Sequence, residues 1–357
     1  MNQITTIGLN KLKNIEKILI LDVRNENELI EGYIKGSINL PLDNLEDKIY
    51  SLDLKKDEKI VIYCSKGIRS ITASEILNKH GFKNLYSLSG GFNQWKEDNF
   101  DFARDEILTL DEVSRYSRQI KLKEIGKEGQ LKLLNSKVLL IGAGGLGSPI
   151  ALYLSSSGIG TIGIIDNDTV DLTNLHRQII HNNDSVGKLK VESAKESINR
   201  INPNTNVIIF PKKLDKDNAK EIIKDFDLVI DGTDNFLSKY LINDICYELN
   251  KPYVYGSIFK FEGQVTLFDF KNKDHCYRCL FPSPPDSTLA PSCSEIGVLG
   301  VLPAIIGTLQ AVEAIKYILN IGEILNKDLL VYDALDTYFR KIKIKKSSKC
   351  SLCNNIK

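Results

Sequence analysis

Short apolar runs, punctuated by glycine and polar residues, alternate along this chain with amphipathic stretches of helical period. In the first hundred residues, Lys17–Asp22, Lys59–Cys64 and Leu85–Leu88 read as buried strands, the second ending on a cysteine. Ile68–His80 repeats its apolar positions at helical spacing and stops at Gly81. Strands alternating with helices at these intervals predict a parallel sheet with helices on both faces. From Glu97 to Glu112 the chain is charged and its periodicity weakens. That divides it into a first domain over 1–104, a linker over 105–114 and a second domain over 115–357. The second domain opens with a predicted helix over Arg115–Leu134. The strand Lys137–Ile141, a glycine turn, a helix from Ser148 and the strand Thr161–Asp166 follow. Later strands are predicted at Val207–Phe210, Leu228–Asp231, Pro252–Gly256 and Gly263–Asp269. An apolar helix is predicted at Gly307–Leu319, and a closing strand pair at Leu329–Tyr332 and Phe339–Ile344. The fold class is α/β in both domains.

Composition narrows the function. The chain has 357 residues, 42% hydrophobic and 26% charged, with a formal net charge of +1. This is enough apolar material for two cores, and no global charge draws the chain to nucleic acid or a membrane surface. The longest apolar stretch, Val138–Ile165, is broken by glycines, serines and Pro149, so it is a strand, turn and helix and not a membrane span. Met1–Lys17 lacks the apolar core of a signal peptide, so the expected location is cytoplasmic. Seven cysteines in such a chain, four of them in two C-x-x-C pairs, point to metal and thiol chemistry and away from a disulfide framework.

The strand Val138–Ile141 runs into Gly142-Ala-Gly144-Gly145-Leu-Gly147 and then a helix. Glycines let a backbone approach phosphate closely, and the helix N-terminus favours the anion. The next strand ends at Asp166, about 20 residues on, where a carboxylate bonds a ribose hydroxyl. The larger domain is therefore Rossmann-like, and this loop alone fits NAD and ATP equally. Arg177 and Lys190, two cations in segments close behind, favour a triphosphate. Asp234 follows the strand Leu228–Asp231 at the crevice end of the sheet and is suited to magnesium, which takes one or two carboxylates beside phosphate oxygens.

The cysteines sort by setting. Cys276-x-x-Cys279 and Cys350-x-x-Cys353 would form a closed, structural zinc site of four thiolates once the fold joins them. Cys246 lies on a helix face as a small core residue. Cys293 lies in the proline-rich segment 282–294, and two readings fit it: a thiol that forms a transient covalent link, or an incidental surface cysteine. Cys64 opens Cys64-Ser-Lys66-Gly67-Ile-Arg69-Ser70 between a strand and a helix. Backbone N–H groups of such a loop stabilise an anion on sulfur, and Lys66 and Arg69 add positive charge. The cysteine-to-arginine spacing is one residue shorter than in the cysteine phosphatase loop, a cradle sized for a sulfur atom.

Over 115–357 the chain resembles the MoeB/ThiF adenylyltransferases of the ubiquitin-activating superfamily. The matching stretches are Arg115-Tyr-Ser-Arg118-Gln119, the glycine loop, Asp166-Asn-Asp168, Asn174-Leu-His-Arg177-Gln178, Lys190, Thr233-Asp234-Asn235, Glu262-Gly-Gln264-Val and the two cysteine pairs. The resemblance implies adenylation, by ATP, of the C-terminal carboxylate of a small ubiquitin-like protein ending in Gly-Gly. It assigns the nucleotide to Gly142, Gly144, Gly145, Gly147, Asp166, Asp168, Asn174, Arg177, Gln178, Lys190, Asp234 and Asn235. It also implies a homodimer in which Arg118 reaches the neighbouring site. Residues 1–104 resemble the rhodanese family through Asp22-Val-Arg24, Glu28, Gly32–Pro41, the Cys64 loop and Gly90-Gly91-Phe-Asn-Gln-Trp95. Asp22, Arg24 and Glu28 look fold-supporting, with Cys64 the sulfur carrier. Together the halves imply sulfur transfer from a Cys64 persulfide to the adenylated carrier, giving a thiocarboxylate for molybdenum cofactor, thiamine or a related product. The expected sulfur donor is a cysteine desulfurase. Two-domain members of this family carry the rhodanese at the C-terminal end, whereas here it is N-terminal. Two other readings are an NAD-linked oxidoreductase and a rhodanese-bearing scaffold without turnover.

Overall fold

The computed structural model describes residues 2–16, 18–49, 55–104, 108–271, 275–284 and 297–354. The chain forms two compact units, Met1–Ile107 and Leu108–Lys357.

In the first unit, β1 (Asn2–Ile4), β2 (Leu19–Asp22), β3 (Ser37–Asn39), β4 (Ile60–Tyr63) and β5 (Leu85–Leu88) form a parallel sheet ordered β1-β5-β4-β2-β3. β1 and β3 are three-residue strands, too short to show a period in sequence. β4 is central and buried at every position, so Cys64 emerges at the crevice end of the sheet. Beside it, Arg24 and Asp22 form an ion pair at 2.6 Å, with side chains 1% and 0% exposed. The guanidinium also donates to Gly32 O at 2.8 Å and lies 4.3 Å from the Phe92 ring centre. Asn39 Nδ2 donates to the carbonyls of Asp22 and Arg24. This pair joins the end of β2 to β3 and to the helix Gly91–Glu97, so it supports the fold.

In the second unit, eight strands are ordered β13-β12-β11-β10-β9-β6-β7-β8: β6 (Lys137–Ile141), β7 (Thr161–Ile165), β8 (Asn206–Phe210), β9 (Leu228–Asp231), β10 (Tyr253–Phe259), β11 (Glu262–Phe268), β12 (Asp328–Asp333) and β13 (Tyr338–Lys343). β8 through β10 run parallel, and β10 through β13 are antiparallel. The expected single helix over Arg115–Leu134 is three helices, Leu110–Arg115, Ser117–Ile120 and Gly126–Asn135. The first break falls at Tyr116, which is buried and whose hydroxyl accepts from Asn202. The helix Leu302–Leu319 starts five residues before its predicted position, with Pro303 in its first turn, where proline needs no N–H partner. It is the one helix among the described residues long and apolar enough to cross a membrane. Half of it is buried, and it lies against β10, β11 and the helix Gly147–Ser156.

Replacing Arg24 by Met strands the Asp22 carboxylate in the core, a loss of about 3–5 kcal/mol. Trp95 is the only tryptophan and is fully buried in the first unit. Its fluorescence during thermal unfolding should report a clear drop in that unit's midpoint.

Candidate functional site

β6 ends at Ile141, and the chain turns through Gly142–Leu146 into the helix Gly147–Ser156. The turn is possible because the backbone packs on itself: a Cβ on Gly147 would lie 2.1 Å from Gly142 O. The carboxylate of Asp166, just beyond β7, accepts from Ala143 N–H at 2.8 Å and from Asp168 N–H at 2.9 Å. Burial pushes its carboxyl above the ordinary range, and these two N–H groups oppose that push. Lys190, the first residue of the helix Lys190–Ile201, is buried, and its ammonium donates to Asp168 Oδ2 at 2.8 Å. Arg177 donates to Thr173 O at 3.1 Å.

These groups surround one cavity of about 360 Å3, within the range of about 300–1,000 Å3 usual for small-ligand sites. Its lining includes Gly142, Gly144, Gly145, Asp166, Asp168, Arg177, Gln178, Lys190, Asp234 and Asn235. Gln178 is buried, and its Oε1 has no hydrogen-bond partner, so a buried acceptor is left for a ligand or water to satisfy. Gly147 shapes the loop from behind. Asn174 lies outside the lining, its Oδ1 accepting from Asp171 N–H at 3.1 Å. Arg118 is exposed and also outside it. A glycine cradle, two cations and an exposed carboxylate at Asp234 suit a nucleotide with a charged phosphate chain.

The wall carrying Asp234 is set by residues that sequence reasoning passed over. Asp231, at the end of β9, is fully buried and pairs with Lys239 at 2.8 Å. It also accepts from Thr233 N–H, Thr233 Oγ1 and Tyr253 Oη at 2.7–2.8 Å. Lys239 donates further to Thr233 O at 2.9 Å and Gly256 O at 2.8 Å, which uses all three of its protons. Lys212 and Lys213, just past β8, add two cations to the lining. The only trace of them in the sequence is a basic pair after an apolar run.

In the first unit, Cys64 is buried and Gly67 N–H donates to its sulfur at 3.1 Å. Burial pushes the thiol up, but the N–H groups of Ser70, Lys66 and Gly67 and the Ser70 hydroxyl outweigh it, leaving the thiol below its ordinary value. The loop is latched from below, where Phe92 N–H and Asn93 N–H donate to the carbonyls of Cys64 and Ser65. Gly91, at φ +62°, permits that contact, since a Cβ there would lie 2.2 Å from Cys64 O. Arg69 is not the free cation expected from the loop sequence. It forms a two-pronged ion pair with Glu28, both contacts at 2.7 Å, and Ser65 Oγ donates to the same carboxylate at 2.6 Å. The Arg69 guanidinium, then burial in opposition, then Ser65 place the Glu28 carboxyl at about 2. The backbone nest, with exposed Lys66 at its rim, is therefore what favours a thiolate here.

Cys276, Cys279, Cys350 and Cys353 converge, with all four sulfurs within 4.8 Å of one another. Sγ–Sγ distances are 3.5 Å for Cys276–Cys350 and 3.3 Å for Cys279–Cys353. A hydrogen bond from Cys276, opposed by burial and helped by backbone N–H groups, holds the Cys279 thiol below its ordinary value. The cluster could hold a metal ion. Cys246 is fully buried, and burial pushes its thiol up, as for a core residue. Cys293 lies outside the described residues.

Residues 116–352 match the ThiF family, and residues 8–98 match the rhodanese-like domain. The chain belongs to the ThiF family. The sulfur carrier protein adenylyltransferase of Thermus thermophilus is 43% identical over 251 residues, 69% of this ThiF-family chain and 93% of that protein. The adenylyltransferase and sulfurtransferase MOCS3 of Aedes aegypti is 47% identical over 249 residues, 70% of this chain. That match spans 57% of the mosquito protein, little more than half its length. Among solved structures, E. coli MccB with ATP aligns at a TM-score of 0.59 and 25% identity, covering 80% of this chain and 85% of that one.

A Ser70→Ala change removes a hydroxyl from the sulfur nest. Alkylation of Cys64 by iodoacetamide at pH 7, followed by peptide mass spectrometry, should slow roughly threefold to tenfold, and its pH midpoint should move up. An unchanged midpoint would show that the hydroxyl does not act on the thiol.

Proposed function

We propose that the second unit transfers the adenylyl group of ATP to the C-terminal glycine carboxylate of a ubiquitin-like sulfur-carrier protein, and that Cys64 then supplies sulfur to the activated carbonyl. The observation that carries this is the single cavity in which Arg177, Lys190 and Asp234 surround the glycine loop. A pocket for a dinucleotide pyrophosphate has less need of two cations and a free carboxylate.

The carrier carboxylate is ionised at neutral pH and needs no general base. It attacks the α-phosphorus, and the bond to pyrophosphate breaks. Arg177 and Lys190 neutralise the departing charge, and the loop N–H groups hold the phosphates in line. Asp234 would hold magnesium, which would screen charge between phosphate oxygens. Arg118 of a second copy would complete the site in a homodimer. The terminal sulfur of a Cys64 persulfide, loaded by a cysteine desulfurase, then attacks the acyl carbonyl and AMP leaves. A second thiol attacks the Cys64 sulfur of the resulting acyl disulfide. That releases the carrier thiocarboxylate and leaves Cys64 in a disulfide with that thiol. Cys293 is the candidate within this chain. The four-cysteine cluster would hold zinc as a closed structural site, since four thiolates leave no position for a substrate.

ATP–pyrophosphate exchange against a panel of Gly-Gly-terminated carriers should reveal at least one that supports exchange. Asp234→Asn should lower that rate about 100-fold or more. Cys64→Ala should abolish thiocarboxylate formation while exchange persists. If no carrier supports exchange, the assigned substrate is wrong. Elemental analysis should find one zinc per chain, and Cys350→Ser should lose it with a marked fall in the second unit's stability.

A further inference from the structure

Ala143 is the one residue with a side chain between Gly142 and Gly145, and the peptide groups on both sides of it are held. Its N–H donates to Asp166, as described above. Its carbonyl is met by His181, whose Nε2 lies 3.0 Å from Ala143 O. A carbonyl only accepts, so Nε2 carries the proton. His181 Nδ1 lies 2.8 Å from Ser193 Oγ, on the helix Lys190–Ile201, and in the neutral ring it accepts that hydroxyl's proton. His181 is 7% exposed and Ser193 1%. Burial, and then the Lys190 charge, hold the imidazole below its ordinary value, while the Ala143 carbonyl opposes this. The Ala143 carbonyl thus fixes the tautomer, and Ser193 holds the other ring nitrogen and so orients the ring.

Peptide planarity carries this contact to the pocket. In a trans peptide the C=O and the following N–H point to opposite sides. With Ala143 C=O turned onto His181, the Gly144 N–H faces the other way, and Gly144 lines the cavity. The neighbouring peptide follows the same rule. With Ala143 N–H on Asp166, Gly142 C=O turns away, toward the backbone of Gly147 and Gly232. Two side chains from separate elements therefore fix the rotation of both peptides, and neither donates to the ligand through this contact.

We propose that His181 is a positioning residue for the nucleotide: its Ser193-oriented Nε2–H fixes the Ala143 carbonyl and so aims the Gly144 N–H at the phosphate chain. The inference rests on the adenylation reading, which supplies the phosphates. Calorimetric titration of the full chain with ATP and, separately, with adenosine tests it. His181→Phe keeps a ring but loses the donor, and His181→Gln keeps an N–H near the position of Nε2. The Phe variant should bind ATP about tenfold more weakly or worse, as for a lost hydrogen bond to a charged group. Its adenosine affinity should stay within about twofold, and the Gln variant should recover most of the ATP affinity. Ser193→Ala, which releases the ring's second anchor, should show a smaller loss confined to ATP. If the Phe variant fails to fold, the Gln and Ser193→Ala variants carry the comparison. Equal losses for ATP and adenosine, or none for ATP, would overturn the inference. A wild-type chain that binds no ATP would overturn the adenylation reading and this inference with it.

Discussion

The second unit depends on one buried ion pair, Asp231 with Lys239, at the centre of its sheet. A carboxylate and an ammonium this deep are stable only if every lone pair and proton finds a partner. Here they do, and the partners are informative. Lys239 bonds β9, the turn after it and β10, while Asp231 gathers Thr233 and Tyr253. Gln310 on the long apolar helix donates to the Asp231 carbonyl at 2.8 Å, which brings a third layer into the same knot. The turn bearing Asp234 is thus held by charge and hydrogen bonds, while the carboxylate itself stays exposed in the cavity.

The first unit solves a related problem differently. The arginine nearest its sulfur, Arg69, is matched to Glu28, and Lys66 stands exposed at the rim. Backbone N–H groups stabilise the charge instead, and their positions follow from the glycine latch beneath the loop. Backbone dipoles arranged in advance cost no reorganisation when sulfur becomes charged. In the first unit, then, charged side chains brace the framework and main-chain donors face the sulfur, whereas in the second Arg177, Lys190 and Asp234 line the cavity beside the glycine loop.

How much of this was legible in the sequence follows from the range of each interaction. The strands with four or more apolar residues, the glycine loop and the paired cysteines carry their signal within a few positions, so they could be read directly. The three-residue strands β1 and β3 have no period to detect, and the helix after Leu110 breaks where a buried tyrosine meets Asn202, far along the chain. Arg69 reads as a cation until Glu28, distant in sequence, cancels it. His181, Lys239 and Tyr253 act only through partners on other elements, so their residue types alone look like ordinary core or surface positions. Lys212 and Lys213 gain meaning from strand order, which places β8 beside β7.

The four-cysteine cluster has a topological consequence. Its two pairs enclose the long apolar helix and β12–β13 in one loop of chain, clamped where the last described residues meet the body of the unit. A cross-link closing so long a loop removes conformations from the unfolded chain worth roughly 3–5 kcal/mol, by analogy with disulfides of similar reach. A metal held by the four thiolates would therefore order the antiparallel side of the sheet from a point outside the cavity. If zinc fills that cluster as proposed, a chain synthesised where zinc is scarce would carry an intact thiol loop beside an incompletely closed second unit, so metal supply would govern how many chains mature.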